Sequence, residues 1–403
     1  MKNRNITLGY ILITCQNSFF WYAPWLLFVY QYIDIRQATF LQLIGLITRV
    51  ISEIPTGALA DLLGKKRTLL IAFLLSGIGE ITMAFSTTFS LLVVSYVINS
   101  LGSSFFSGTI DAFMYDSLLE KKEEKVYPSV LGKSHAFQST ATAVATLTGG
   151  FMFLVWGGLP FLITGIVKFI GLVVVFFVTE PRVDSLTFSA KNFLTQTVRG
   201  LKHLFGKSLI KNTLLILLMG SFSIVAYEIL DDVAVVDWGY SASGISILYT
   251  AVIVLSIPAG FLYPKVAKVI KPPLLVVGGI GILVLNYIFS PLINTLIWTL
   301  IFLFRVVYSP LNKAAITQII NTNVSSNIRA TTLSTYELII RIPFVVLGVY
   351  VASSLDSLGV RNFSVVFSGT LLALLGIYVL VTAVVLKNKT AGLQRSIICQ
   401  VLT

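Results

Sequence analysis

Ionisable side chains are scarce in the long apolar stretches of this chain, and several of them are spaced as pairs. Arg49 and Glu53 lie four residues apart, as do Glu337 and Arg341, so on a helix each acid shares a face with a base and can neutralise it. Glu80, Asp111, Lys168, Glu228 and Arg305 stand singly in other apolar stretches. A charge at the centre of a bilayer costs about 2.5–3.5 kcal/mol on insertion scales, so residues of this kind mark substrate paths, proton relays or pairing points. A carboxyl that passes between wet and dry surroundings can take up and release a proton. Glu228 is followed by Asp231 and Asp232 near the end of its stretch, where an acidic cluster either attracts a cation or is simply solvated. Phe19-Phe20-Trp21-Tyr22-Ala23-Pro24-Trp25, one turn after Gln16 and Asn17, offers an aromatic wall for a flat, amphiphilic or cationic molecule. In that run Trp25, together with Tyr30, fits an interfacial aromatic belt better than Trp21 does.

The elements that position these residues are membrane helices. Of 403 residues 56% are hydrophobic and 11% charged, against about 25% charged in a soluble domain. Crossing about 30 Å of hydrocarbon takes about 20 helical residues. Twelve stretches qualify, near 6–31, 38–60, 68–86, 89–119, 134–155, 159–179, 211–230, 243–263, 274–290, 292–312, 331–353 and 363–386. None shows the period-two alternation of a membrane strand. The predicted class is an all-α integral membrane protein with 12 transmembrane helices.

Basic residues orient it. With the N-terminus inside, 2 of the 29 Lys and Arg (Arg36, Arg361) fall outside and 4 (Arg49, Lys168, Arg305, Arg341) within spans, leaving 29 − 2 − 4 = 23 on the inner side. That asymmetry predicts a multi-pass plasma-membrane protein with both termini cytoplasmic. It also accounts for the net charge of +12 through contact with anionic headgroups, so no nucleic-acid partner is required. Cys15 and Cys399 make no disulfide framework. No metal-ligand spacing, cofactor motif or catalytic Asp/His constellation is present, and the phosphate-cradling loop of an ATP-driven pump is missing.

The organisation is bipartite. Residues 1–180 form a first six-span bundle and 211–387 a second, with a cytoplasmic tail at 388–403. Between the bundles, 181–210 open with Glu180-Pro181-Arg182 at the boundary and continue through Lys191, Phe193, Leu194, Val198, Leu201, Leu204 and Phe205 at helical apolar spacing. That pattern suits an amphipathic surface helix, or a plain linker. Gly132-Lys133-Ser134-His135 before span five and Ile328-Arg329-Ala330-Thr331 before span eleven echo each other, as expected of two related halves.

Between spans two and three the chain reads Gly57-Ala58-Leu59-Ala60-Asp61-Leu62-Leu63-Gly64-Lys65-Lys66-Arg67. This resembles the signature loop of the major facilitator superfamily, G-x-x-x-D-x-x-G-[RK]-[RK]. The resemblance implies two six-helix pseudo-repeats and a conformational latch built from Gly57, Asp61, Gly64, Lys65 and an acid at the end of span four, a place that Asp116 occupies. Lys65 stands where Arg is more usual, exchanging a bidentate fork for a point charge. The second-half counterpart, Gly260 to Lys265, has lost the aspartate. The Gly/Pro signature that exporters carry on helix five survives only as its closing pair, Gly149-Gly150, after Ala141, Ala145 and Thr146.

In that fold helices 2 and 11 meet, so Arg49, Glu53, Glu337 and Arg341 form either an inter-half gate through diagonal pairs or two self-satisfied pairs. Helices 4 and 10 line the central cavity, which points to Asp111 and Arg305 for proton coupling and substrate contact, along with Glu228, Asn17, Trp21 and Tyr22. Helices 3 and 6 usually face outward, making Glu80 and Lys168 packing or interface residues. The implied activity is secondary active transport by a bacterial monomer, with protons, a small-molecule substrate and the bilayer as partners. Proton-coupled efflux of a hydrophobic or amphiphilic compound leads, with nutrient uptake or lipid flipping as alternatives. An integral-membrane transferase is the competing class, and an enzyme is not expected.

Overall fold

The computed structural model describes residues 3–181, 195, 198, 201–205, 210–324 and 329–401, with side chains undescribed at 53–55, 57–62, 108, 210–211, 260, 329–331, 334 and 381–401. Among the described residues the chain is helical, without a strand. Seven described helices are long and apolar enough to cross a bilayer, and a bent pair adds an eighth. Large apolar side chains point outward, with Phe261 80% and Leu292 81% exposed, the reverse of a water-soluble surface and the expected face toward lipid.

Span one is α1 (Arg4–Gln16) and α2 (Trp25–Val29), and the chain between them is not helical. The continuous helix expected over 6–31 is therefore broken. The α1 ladder closes at Asn17, whose N–H bonds the Ile13 carbonyl, and Pro24, lacking an N–H donor, stands at the start of α2. Spans two to six are α3 (Ile35–Leu63), α4 (Lys65–Ala84), α5 (Phe89–Leu119), α6 (Tyr127–Val155) and α7 (Leu159–Phe176). Span seven joins α8 (Ile210–Val225) to α9 (Asp231–Asp237) through a π-helical turn, Ala226–Leu230. Spans eight to ten are α10 (Ala242–Val269), α11 (Pro272–Ile288) and α12 (Thr295–Asn323). Span eleven starts as α13 (Arg329–Ile339), breaks at Ile340–Arg341 and resumes in α14 (Ile342–Val401), which bends at Gly359 before span twelve.

The residues fall into two compact units. The first comprises Met1–Gln196, Tyr227–Leu255 and Phe344–Ser357; the second comprises Thr197–Ala226, Ser256–Pro343 and Leu358–Thr403. Within the first, α4 is the central helix, packed on both α5 and α7, while α3 lies along α5. Leu69, Ala72 and Phe73 of α4 meet Phe106, Ile110 and Phe113 of α5 and Val175 of α7 in a core of fully buried or nearly buried side chains. Two pieces of second-half sequence, 227–255 and 344–357, belong to this unit. In the second unit α11 packs on α12 and α8. Leu204, in the short helical stretch at 201–204, is buried there and its carbonyl accepts the Thr213 hydroxyl; Leu201 is half-buried, and the other residues of the expected amphipathic helix are exposed or outside the described ones.

Candidate functional site

The turn between α3 and α4 holds the first cluster. Gly64 has φ +83°, a left-handed conformation that a side chain would strain, and it lets α4 start immediately after α3. The N–H groups that open α4 would then lack helical partners. Glu180, just past α7, supplies both: its Oε1 accepts from the Lys65 N–H and its Oε2 from the Lys66 N–H, each at 2.7 Å. A carboxylate at a helix N-terminus also meets the positive end of the helix dipole. Lys66 Nζ donates to the Phe176 carbonyl at 2.8 Å. Lys65 Nζ in turn forms an ion pair with Asp116 Oδ2, both side chains only 12% exposed. The side chains of Gly57, Asp61 and Glu53 lie outside the described residues.

The second cluster surrounds the broken span. Gly149 of α6 abuts the Phe20 carbonyl so closely that a Cβ would collide with it, and Gly150 meets the Ala242 carbonyl and Ser246 of α10 in the same way. The pair thus lets α6 touch two backbones at once. Thr142 Oγ1 donates to the Asn17 carbonyl at 3.1 Å, and the Phe20 N–H donates to Thr164 Oγ1 at 3.1 Å. These bonds replace part of the ladder the break removes, as irregular backbone at membrane depth requires. Asn17 itself donates to the Ile13 carbonyl at 2.8 Å and so serves the end of α1.

Beyond the break, helix one meets α9 and α10 in a layer of acids and aromatics. Asp232 accepts from Trp25 Nε1 at 2.6 Å on one oxygen and from the Tyr249 hydroxyl on the other. Tyr22 donates to the Tyr227 hydroxyl at 3.1 Å. Arg49 Nη2 lies 4.0 Å from Glu228 Oε2. Two expectations are corrected here. Asp231 and Asp232 are not a solvated helix end but only 9% exposed, and Trp25 is not in an outer belt but 3% exposed, because its indole N–H is spent on Asp232. Trp21 stacks on Phe161 at 5.8 Å, whereas Tyr22 turns toward Tyr227 and Tyr249.

A third group lies on an exposed face of the first unit. Asp111 is exposed on α5 and within electrostatic reach of His135 on α6 and Tyr127 at the start of α6. Tyr10 of α1 stacks on Phe137 of α6 at 5.0 Å. In the second unit Arg305 Nε donates to Asn286 Oδ1 at 2.9 Å, and its guanidinium lies 5.6 Å from the Tyr287 ring and 5.3 Å from the Phe302 ring, so α12 is tied to α11. Glu337 and Arg341 do not sit four apart on an unbroken helix: α13 stops at Ile339, and Arg341 lies in the break. Among the described residues no group of three or more His, Cys, Asp and Glu side chains converges on a metal position.

Glu180, Tyr227 and Tyr249 were not among the sequence-derived candidates. Glu180 had a signal, a lone acid just after a span; the two tyrosines had none, since only folding brings them to Asp232 and Tyr22.

A chain helical throughout its described elements, with apolar outer faces, a nearly buried ion pair and interrupted spans, is a polytopic membrane protein. The family model described as Major Facilitator Superfamily matches residues 6–348, and the chain belongs to that superfamily. A 110-residue stretch is 32% identical to an uncharacterised MFS-type transporter, YwoD, of Bacillus subtilis (strain 168), covering 27% of this chain and 23% of that protein. Among solved structures, the nucleoside transporter NupG superposes with a TM-score of 0.74 at 14% identity over 94% of this chain and 98% of its own. The POT family transporter PepTSo gives 0.71 at 12% identity over 94% and 98%. The D-xylose-proton symporter gives 0.68 at 16% identity over 93% and 95%. At these identities the likeness establishes the fold.

Proposed function

We propose that the protein is a secondary transporter that moves a small organic molecule by alternating access, with protons as the coupling ion, and that export of a cationic or amphiphilic compound is its work. The observation that carries this reading is the layer beyond the helix-one break. There Glu228, Asp231 and Asp232 outnumber Arg49 by three carboxylates to one guanidinium among Tyr22, Trp25, Tyr227 and Tyr249. Excess negative charge beside aromatic faces favours an organic cation. Asp111, exposed beside His135, is the group we assign to proton exchange. Lys65 and Asp116, with Asp61, Gly57 and Gly64, form the proposed latch, and the basic residues beside it favour a cytoplasmic position for that end and for both termini. We take residues 1–180 and 211–387 as the two repeats and place the protein in a bacterial plasma membrane.

Uptake by symport is the second reading, since the D-xylose-proton symporter shares the fold. The test is proteoliposome transport of ethidium, uridine, xylose and a dipeptide with and without an imposed pH gradient. Ethidium movement accelerated by the gradient in the antiport sense supports export. Gradient-driven accumulation of one of the three nutrients instead replaces it with symport, and no gradient effect on any probe refutes proton coupling. Asp111→Asn is expected to remove the gradient effect, a loss of at least about tenfold in rate, or about 1.4 kcal/mol added to the barrier of the gradient-driven step.

A further inference from the structure

The break in span one is backed, on the side of α4 and α7, by two opposite charges that the reading above leaves unused and that interact electrostatically without a direct ion-pair contact. Glu80 of α4 is 1% exposed and Lys168 of α7 fully buried. Asn99 of α5 donates to Glu80 Oε1 at 2.6 Å. Lys168 Nζ donates to the carbonyl of Gln16, the last residue of α1, and lies 4.5 Å from the centre of the Phe19 ring inside the break. A cation at a helix C-terminus meets the negative end of its dipole, so Lys168 fixes where α1 stops. Beside them, Gln16 Oε1 is buried without a hydrogen-bond partner among the described residues, and the Trp21 indole contributes to the polar surroundings of Glu80. The open polar valence belongs to the residue just before the break, and the indole beside Glu80 to one within it.

Burial makes a charge pair in such a place sensitive to the loss of either member: removing one leaves the other uncompensated in a dry setting. The pair also touches what it would control, since the carbonyl that Lys168 holds is the one at which helix one gives way to irregular chain. We propose that Glu80, with Lys168 as its counter-charge, is a proton-holding site whose occupancy sets the geometry of the helix-one break. The step balances simply. A hydronium ion from water admitted at the break gives its proton to a Glu80 carboxylate oxygen, forming an O–H bond and leaving water; the reverse step returns the proton. Neutral Glu80 leaves Lys168 with a full charge whose acceptor is the Gln16 carbonyl, weakens the hold of Glu80 on the Trp21 indole, and leaves the open valence of Gln16 as an alternative bond for the segment.

The titratable and charged groups facing the pair are few. Cys15 on α1 interacts with Lys168, and Tyr96 on α5 with Glu80. Tyr96 in turn feels Arg49 on α3 and Glu228 and Asp232 from the acidic layer, so the pair and that layer share a neighbour. Asp111, on the exposed face, is a separate site. The proposal deepens the proton-coupled reading and rests on it.

The experiment reads protonation without any substrate, so its failure is distinguishable from failure of the transport assays. Infrared difference spectra of the full-length protein in lipid vesicles are recorded across a pH titration, following the C=O stretch of protonated carboxyl groups. A titrating band present in the wild type and in Asp111→Asn but absent from Glu80→Gln is expected. Lys168→Met should move its midpoint by at least about one pH unit, equivalent to about 1.4 kcal/mol, and Lys168→Arg should restore most of the shift. Should Glu80→Gln fail to fold, Asn99→Ala, which removes the donor to Glu80, must shift the band frequency. A band that persists unchanged in Glu80→Gln, or is indifferent to both Lys168→Met and Asn99→Ala, overturns the proposal. Accessibility of a cysteine at Ser18, in a chain with Cys15 and Cys399 replaced by Ser, should change across the same titration; constant accessibility would overturn the link to the break.

Discussion

Asp116 and Asp232 are the same residue type in the same unit, and they are held by opposite means. Asp116 takes a cation, Lys65, at the start of a helix where Glu180 has already capped the backbone. Asp232 takes two neutral donors, Trp25 and Tyr249, from two different spans, while Arg49, the nearby cation, lies against Glu228. The two carboxylates are equally buried, at 9% exposure. The first keeps a cation beside it, whereas the second has only neutral donors, so it is the stricter of the two: no opposite charge remains on it if those donors leave. The contrast teaches that a carboxylate held by a cation and one held by neutral donors respond differently to the loss of a single partner, the second being the more sensitive.

The largest effect should follow from emptying the stricter arrangement. Asp232→Ala strands two buried donors, each worth about 1–3 kcal/mol when unsatisfied, so a loss of about 2–6 kcal/mol is expected. Asp232→Asn, which keeps the shape and loses the charge, should cost less than half of that. Adding Trp25→Phe to Asp232→Ala should cost little more or even recover stability, because the orphaned donor goes with it. Apparent melting in detergent measures all three, and a fully additive double variant would dissolve the contrast drawn above.

A smaller effect is expected at the other site. Glu180→Gln keeps acceptor geometry on one N–H but gives up the charge at the α4 terminus, and losses at such caps run to about 1 kcal/mol. Its distinctive readout is Lys65, which should become more reactive toward amine reagents because the turn at Gly64 is less firmly held, even where melting barely moves. Unchanged reactivity of Lys65 would mean that the Asp116 ion pair alone organises this end.

How much of this was legible follows from what each feature depends on. The spans were readable because bilayer thickness sets helix length, and α5 at Phe89–Leu119 coincides with the stretch read from hydropathy. The turn at Gly64 and its basic run were readable because one local motif contains them. The break in span one was half legible: Pro24 announced a helix start, but an unbroken apolar run such as 6–31 gives no sign of where the preceding helix stops. That stop is set by Lys168 and Gly149, more than a hundred residues away, and hydropathy treats both as local matters. The choice between a cation-attracting and a solvated cluster at Asp231 and Asp232 was open for the same reason, since an acid near a span end is solvated by default and the donors Trp25 and Tyr249 reach Asp232 only through the fold. The pairing of Arg49 depended on a π-helical turn, Ala226–Leu230, which contains Glu228 and carries no proline or glycine to announce it.

The smallest effect isolates burial from charge. Arg36 Nη2 and Asp356 Oδ2 stand 2.9 Å apart, a better distance than the 4.0 Å between Arg49 and Glu228, yet their side chains are 50% and 44% exposed. Water screens such a pair and the two side chains must be ordered to form it, so exposed pairs contribute about 0–1 kcal/mol. Arg36→Ala, Asp356→Ala and their combination should therefore give a coupling energy within that range in a double-mutant cycle read by melting, shrinking further in high salt as screening lengths fall. A coupling as large as that between Asp232 and Trp25 would mean that distance rather than burial ranks these contacts. The buried Asp232–Trp25 contact would then lose its rank above the exposed Arg36–Asp356 pair, because their difference in exposure would have no energetic consequence.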